Sequence, residues 1–220
     1  DNVFAADCAT IYLSTDGGET WSPKPANAAD NLWQTYIPVA LASGSLVGNP
    51  QPATPHWEQL FGAGNDLQNV GVVAFSGDVG DTWANITSAT DALKGVTDVE
   101  ASLYEGGKLW VVDSQGVWVS ADYGVNWTLE KEGLDYAIRT RTRLNDVTYG
   151  QDGTLYLATG FGLFMLDAPG GVWERPDTND VSFSTENMLN LLVTETNPRR
   201  LWINAEERDG DPIVFTMVID

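Results

Sequence analysis

Short apolar runs, each bounded by Gly, Asp, Asn or Pro, follow one another along the whole chain, and no window keeps a helical apolar period for long. The runs are rich in Val, Leu and aromatic residues, which suit a pleated surface and read as strands. They also recur. The segment from Gly107 to Ser120 lies over the segment from Gly153 to Leu166 without a gap, a step of 46 residues. A second step of 46 carries Leu155-Tyr156-Leu157 onto Leu201-Trp202-Ile203. Each copy opens with an apolar stretch (Val96–Val99, Leu144–Val147, Met188–Leu191). A turn follows, then a Leu-aromatic-apolar strand, a glycine-marked turn and a further strand. Almost no helix is expected.

Towards the N-terminus the pattern continues with insertions. Tyr36–Leu41 predicts the opening strand of another copy, and Trp57–Phe61 and Gly71–Phe75 predict its second and third strands. The Pro- and Gly-rich stretch from Ser43 to Pro55 predicts an enlarged loop. Val3–Ala6 and Ile11–Leu13 predict a copy without its first strand, and the last copy, ending in Pro212–Met217, lacks its fourth. The spacing predicts one all-β domain, 1–220, of five repeats at about 1–35, 36–92, 93–137, 138–184 and 185–220. Repeats that must hide their sheet edges predict a β-propeller of about five four-stranded blades, incomplete at both ends, or an excerpt of a larger propeller.

Three octets stand in register with the repeat. Ser14-Thr15-Asp16-Gly17-Gly18-Glu19-Thr20-Trp21 and Ser76-Gly77-Asp78-Val79-Gly80-Asp81-Thr82-Trp83 share Ser, Asp, Gly, Thr and Trp at the same places. Ser120-Ala121-Asp122-Tyr123-Gly124-Val125-Asn126-Trp127 differs in having Asn126 for Thr. A degenerate fourth copy from Leu166 to Trp173 has lost the Ser and gained a residue, and the fifth repeat has none. In such a turn the Asp is expected to accept backbone amides one or two residues on. The Gly is expected to take positive φ, and the Trp to cover the turn.

These octets resemble the Asp-box of bacterial neuraminidase repeats, and the resemblance covers nearly the whole chain. It implies a propeller of the sialidase, xyloglucanase, sortilin and photosystem II assembly-factor type. It also implies that the octets are peripheral hairpins between the third and fourth strands of a blade, away from any catalytic centre. On that basis Ser14, Asp16, Gly18 and Trp21, Ser76, Asp78, Gly80 and Trp83, and Ser120, Asp122, Gly124 and Trp127 are expected to be structural.

Composition narrows the chemistry. The chain is 43% hydrophobic with nine Trp, which argues against disorder. Eleven Lys and Arg face 31 Asp and Glu, a net charge of −20 that repels phosphate backbones, so nucleic acid and anionic membranes are poor partners for most of the surface. No apolar run approaches the roughly 20 residues needed to cross a bilayer. The chain opens Asp1-Asn2-Val3 with neither initiator Met nor signal peptide, the mark of a processed product or of part of a longer chain. Cys8 is the single cysteine and reads as inert; His56, the single histidine, stands among prolines. A histidine-based triad and a zinc site therefore lack their partners. The acidic turn Glu206–Asp211 is not a complete calcium loop. No cofactor and no metal are expected.

The remaining candidates are few. Arg139, Arg141 and Arg143 alternate, so in an extended strand all three would point to one face. Such a stripe would bind a carboxylate, a phosphate or an acidic partner segment, or else pair internally with Glu130, Glu132 and Asp135. It is not the convergent arginine triad that the sialidase resemblance would require, and the Phe-Arg-Ile-Pro type motif is missing. Asp98 and Asp146 occupy equivalent places on inner strands and could face a central channel, where paired carboxylates hydrolyse glycosides; their recurrence with the repeat reads instead as blade structure. The octets account for Trp21, Trp83, Trp127 and, in degenerate form, Trp173, while Trp110 and Trp202 sit at matching strand positions and read as core. Trp33 and Trp57 remain as candidate exposed platforms for sugar. The reading that results is a non-catalytic propeller scaffold or binding module for protein partners in a larger assembly. Its expected setting is cell-surface, periplasmic, virion or assembly-factor-like. The alternative is a carbohydrate-active module, glycan-binding or a hydrolase of sialidase or xyloglucanase type.

Overall fold

The structure, a computed structural model, describes residues 2–25, 31–43, 59–87, 93–177, 186–207 and 210–219. His56, Trp57 and the expected loop at 44–55 lie outside the described residues. Five antiparallel sheets follow one another in chain order, each built from consecutive strands. The first holds β1 (Val3–Ala6), β2 (Ile11–Ser14) and β3 (Ser22–Lys24). The second holds β4 (Ile37–Ser43), β5 (Leu60–Asn65), β6 (Gly71–Ser76) and β7 (Ala84–Asn85). The third holds β8 (Asp98–Ala101), β9 (Leu109–Asp113), β10 (Gly116–Ser120) and β11 (Thr128–Glu130). The fourth holds β12 (Leu144–Tyr149), β13 (Leu155–Thr159) and β14 (Gly162–Leu166), and the fifth β15 (Asn187–Thr194), β16 (Arg200–Glu206) and β17 (Pro212–Val218). Among the described residues helix is confined to a 3₁₀ turn at Leu32–Gln34 and the five-residue α1 (Asp135–Arg139).

Local chemistry sets these boundaries. Between β1 and β2 the Asp7 carboxylate accepts the amides of Ala9 and Thr10, both at 2.8 Å, which turns the chain without a glycine. The near-continuous apolar runs of β9 and β13 leave no residue exposed, as expected of strands covered on both faces. The opening strands carry a recurring irregularity. Register shifts fall between Pro38 and Ala40, Leu144 and Asp146, and Met188 and Asn190, so Val39, Asn145 and Leu189 are the extra residues. A bulge at the same place in three repeats bends each inner strand in the same way.

The fourth sheet departs from the expected four strands. Among the described residues only Glu174 continues the ladder, exchanging both backbone bonds with Met165 at 2.7 and 2.8 Å. Pro176 follows and has no N–H to carry the pairing on.

The chain forms two compact units, Asp1–Asp113 with Val119–Thr128, and Ser114–Trp118 with Leu129–Asp220. In the first, Ile11, Trp33, Val72 and Ala74 form a buried cluster that Phe4, Leu41 and Trp83 border. Gly62 and Gly64, two apart on β5, vacate one face of the strand. A Cβ on Gly62 would sit 2.7 Å from the Trp33 ring, so these glycines make the slot that the indole fills. Trp33 meets Trp83 edge to face at 5.1 Å. In the second unit, Met188, Leu201, Ile203 and Ala205 bury one face of the last sheet with Met165, Phe215 and Met217. Its other face is open: Leu192, Trp202, Val214 and Val218 are all exposed.

Candidate functional site

The three full octets fold alike. In the first, Ser14 Oγ donates to Asp16 Oδ1 (2.7 Å) and accepts the Gly18 amide (2.8 Å). Asp16 in turn accepts both the amide and the hydroxyl of Thr20, at 2.9 and 2.5 Å. Trp21 Nε1 closes the loop on Gly18 O at 3.0 Å. Ser76, Asp78, Thr82 and Trp83 repeat this set. In the third octet Asn126 takes the place of Thr, its amide Nδ2 donating to Asp122 Oδ2 at 2.6 Å, while the buried Trp127 Nε1 makes no hydrogen bond among the described residues. The expectation for the aspartate is corrected here. It accepts the amide four residues on, across the mouth of the turn, and the serine holds the nearer amides. The fourth and fifth positions are both left-handed, including Val79 (φ 61°) and Tyr123 (φ 60°) beside Gly80 and Gly124.

All three box carboxylates are held below the ordinary Asp range. The Thr20 hydroxyl and amide do this for Asp16, and the Asn126 side chain and amide for Asp122. Burial opposes the shift at Asp78, but the bonds from Thr82 and Ser76 prevail. These acids stay ionised and are engaged in hydrogen bonds, so they are not available as proton donors.

Each later turn also seats on the preceding blade. Gly80 lies against Lys24, whose Nζ pairs with Asp81 at 2.7 Å, and a Cβ at Gly124 would lie 2.8 Å from Ile86. In the degenerate fourth octet, where Leu166 replaces Ser, the Gly170 amide reaches Glu130 Oε1 of the preceding blade at 3.0 Å. The backbone of Trp173 donates to Glu132 O at 2.8 Å.

The arginine segment does not form the expected extended stripe. Residues 135–139 are helical, and the helix is stopped by Arg141 in the left-handed region (φ 55°), with the Thr142 amide donating to Ala137 O at 2.9 Å. Arg139, Arg141 and Arg143 are all exposed. The expected pairs with Glu130, Glu132 and Asp135 are not formed among the described residues; Arg139 Nε donates instead to the backbone oxygen of Asp135 at 3.3 Å. The turn between β13 and β14 adjoins this segment through Gly160, whose amide donates to Arg143 O at 2.7 Å. Aromatic residues and a fourth arginine, which no local pattern marked, gather there. Phe161 lies 6.0 Å from Tyr136, and the Arg175 guanidinium stacks over Phe161 and Phe164 at 5.2 and 4.6 Å while donating to Phe161 O at 2.9 Å. Burial draws the Arg175 pKa down.

The other candidates take local roles. Asp146 accepts the Leu191 amide and Asn145 Nδ2 donates to Met188 O, so both fasten β12 to β15. Asp98 shares a face of β8 with Glu100, and burial together with the Asp98 charge pushes the Glu100 carboxyl well above its usual range. The alternation Asp98-Val99-Glu100-Ala101 is the signal that could have found this pair. Trp33 is no exposed platform: it is 2% exposed and fills the β5 slot. Trp202 is no core residue: it is 41% exposed, with Nε1 on Thr194 Oγ1 at 3.2 Å. Trp110, its counterpart on β9, is buried as expected.

No family model matches the chain, and no curated protein matches it by sequence. Its structure is similar to YCF48 bound to D1 peptide (TM-score 0.59, 14% identity, 99% of this chain and 63% of that one). It is also similar to the GH74 xyloglucanase from Xanthomonas campestris (TM-score 0.71, 14% identity, 99% of this chain and 34% of that one). A third likeness is to the extracellular domain of the BT4673 one-component system from B. thetaiotaomicron (TM-score 0.57, 16% identity, 96% and 26%). The chain thus spans about a quarter to two thirds of the length of these proteins. Sequential antiparallel sheets, box hairpins in register and these likenesses together identify the fold: the chain is a β-propeller built from Asp-box repeats.

Proposed function

We propose that this chain is a non-catalytic propeller module that binds a protein partner. The observation that carries the reading is the arginine and aromatic surface on α1 and the β13–β14 turn, which holds four of the seven arginines of a strongly acidic chain. The acids of the boxes are committed to their turns and Asp146 to the Leu191 amide, which supports a structural role for these residues. The neighbour YCF48 is described bound to a peptide, which supports a propeller of this fold as a peptide receptor. The GH74 neighbours keep a carbohydrate-active module as the alternative, and the BT4673 domain supports an extracellular setting. No helix among the described residues is long and apolar enough to cross a membrane. Selection of a displayed random-peptide library on the purified chain, run beside a glycan array, tests the reading. A shared peptide consensus supports it; saturable glycan binding without any enriched peptide would move the assignment to the alternative.

A further inference from the structure

We infer that the surface formed by Tyr136, Arg139, Arg141, Arg143, Phe161 and Arg175 takes an acidic, extended peptide segment; this rests on the binding-module reading above and names its partner. The aromatic part is displayed to solvent, with Tyr136 58% and Phe161 38% exposed, although the rings touch at 6.0 Å. Exposed, paired aromatic rings beside arginines are what binding hot spots are made of. Arg175 is fixed in place by two rings below it and by its bond to Phe161 O. Its stacking in turn holds the Phe161 ring in place beside Tyr136. The three exposed arginines of the helix and turn make no ion pair among the described residues, in a chain with 31 acidic side chains that could have supplied one. The charge left unmet there is positive, and its complement is a carboxylate.

Size and surroundings choose the partner class. The surface is one short helix, one turn and one side chain, which suits a few residues of extended chain better than a globular face. The neighbouring Asp135, Glu174 and Asp177 limit the cationic area, and the net charge of −20 repels a long polyanion. A short peptide carrying two or three acids interspersed with apolar residues meets both the arginines and the rings.

Fluorescence anisotropy on the full chain tests this with three labelled probes: a peptide of repeated Glu-Leu-Asp, its Gln-Leu-Asn counterpart, and a short oligothymidylate. The acidic peptide is expected to bind, and the neutral one to bind about tenfold more weakly or worse. The triple variant Arg139→Gln, Arg141→Gln and Arg143→Gln is expected to lose about tenfold for the acidic probe, and Tyr136→Ser about threefold. Because these side chains are exposed, the thermal midpoint should not move, which separates lost binding from lost folding. Equal affinity for acidic and neutral peptides, no loss in the triple variant, or tighter binding of the oligonucleotide overturns the inference. A displayed-library consensus that is not acidic would remove the acidic site and leave the binding module standing. Glycan binding with no peptide selected would remove both.

Discussion

Ser76→Ala asks which residue of an Asp-box holds it together. Ser76 is buried, and its Oγ donates to Asp78 (2.8 Å), accepts the Gly80 amide (2.8 Å) and lies 3.4 Å from the Asp78 amide. Alanine leaves the Gly80 amide facing a methyl group, and Gly80 is itself buried. A buried donor left unmet costs about 1–3 kcal/mol. Loss of the bond to Asp78 adds little, because that carboxylate is exposed and water can replace the donor. A total of about 2 kcal/mol is expected. Ser120→Ala should cost the same, since the Gly124 amide at 2.9 Å is equally buried. Ser14→Ala should cost only about 1 kcal/mol, because Gly18 is half-exposed and its amide can rehydrate. All three serines belong to the same compact unit, so urea unfolding followed by tryptophan fluorescence compares them directly. Hydrogen exchange at Gly80 and Gly124 reads the loss locally. A Ser14 cost equal to or above that of Ser76, or a Ser76 cost under about 0.5 kcal/mol, would refute the reasoning.

Three other outcomes are expected. Val79→Gly should stabilise by about 1 kcal/mol in urea unfolding, because a β-branched residue stands at φ 61° where the first box has Gly17; a lower midpoint would contradict the strain argument. Trp110→Thr should cost about 3–5 kcal/mol, whereas Trp202→Thr on the open face should cost under about 1 kcal/mol; similar costs would show the last sheet to be covered on both faces. The pKa values of Asp16, Asp78 and Asp122 are depressed on folding, so their contribution is complete above the ordinary Asp value of 3.8 and is lost as pH falls through the folded values. Urea midpoints measured on acidification should fall, and Asn at all three positions should flatten that fall; an unchanged profile counts against it.

The repeats and boxes were legible because their determinants are local. Glycine at the fifth position, Ser and Asp two apart, and the Leu-aromatic strand each act within a few residues. What escaped depends on neighbours or on length. Trp202 and Trp110 share a strand position, but burial of a blade face is decided by what lies against it. Trp33 looked exposed because it precedes a long loop, yet the slot for it was written in Gly62 and Gly64, whose spacing of two clears one face of a strand. The arginine segment has the alternation of a strand, but α1 is five residues long, too short for helical periodicity, and it ends on Arg141 rather than on a glycine that would mark a stop. The stacking of Arg175 on Phe161 joins residues 14 apart and has no local signature.

The seating of each box on its predecessor has a consequence for how the chain is made. Gly80 rests on Lys24, Gly124 on Ile86, and Gly170 on Glu130, so every clasp reaches back to a segment synthesised earlier, about one repeat before it. A ribosome releases chain at about 5–20 residues per second, so a 46-residue repeat takes seconds to emerge. A hairpin closes in about 1–10 μs. The blades can therefore be laid down in order, each locked onto finished work before the next one leaves the tunnel.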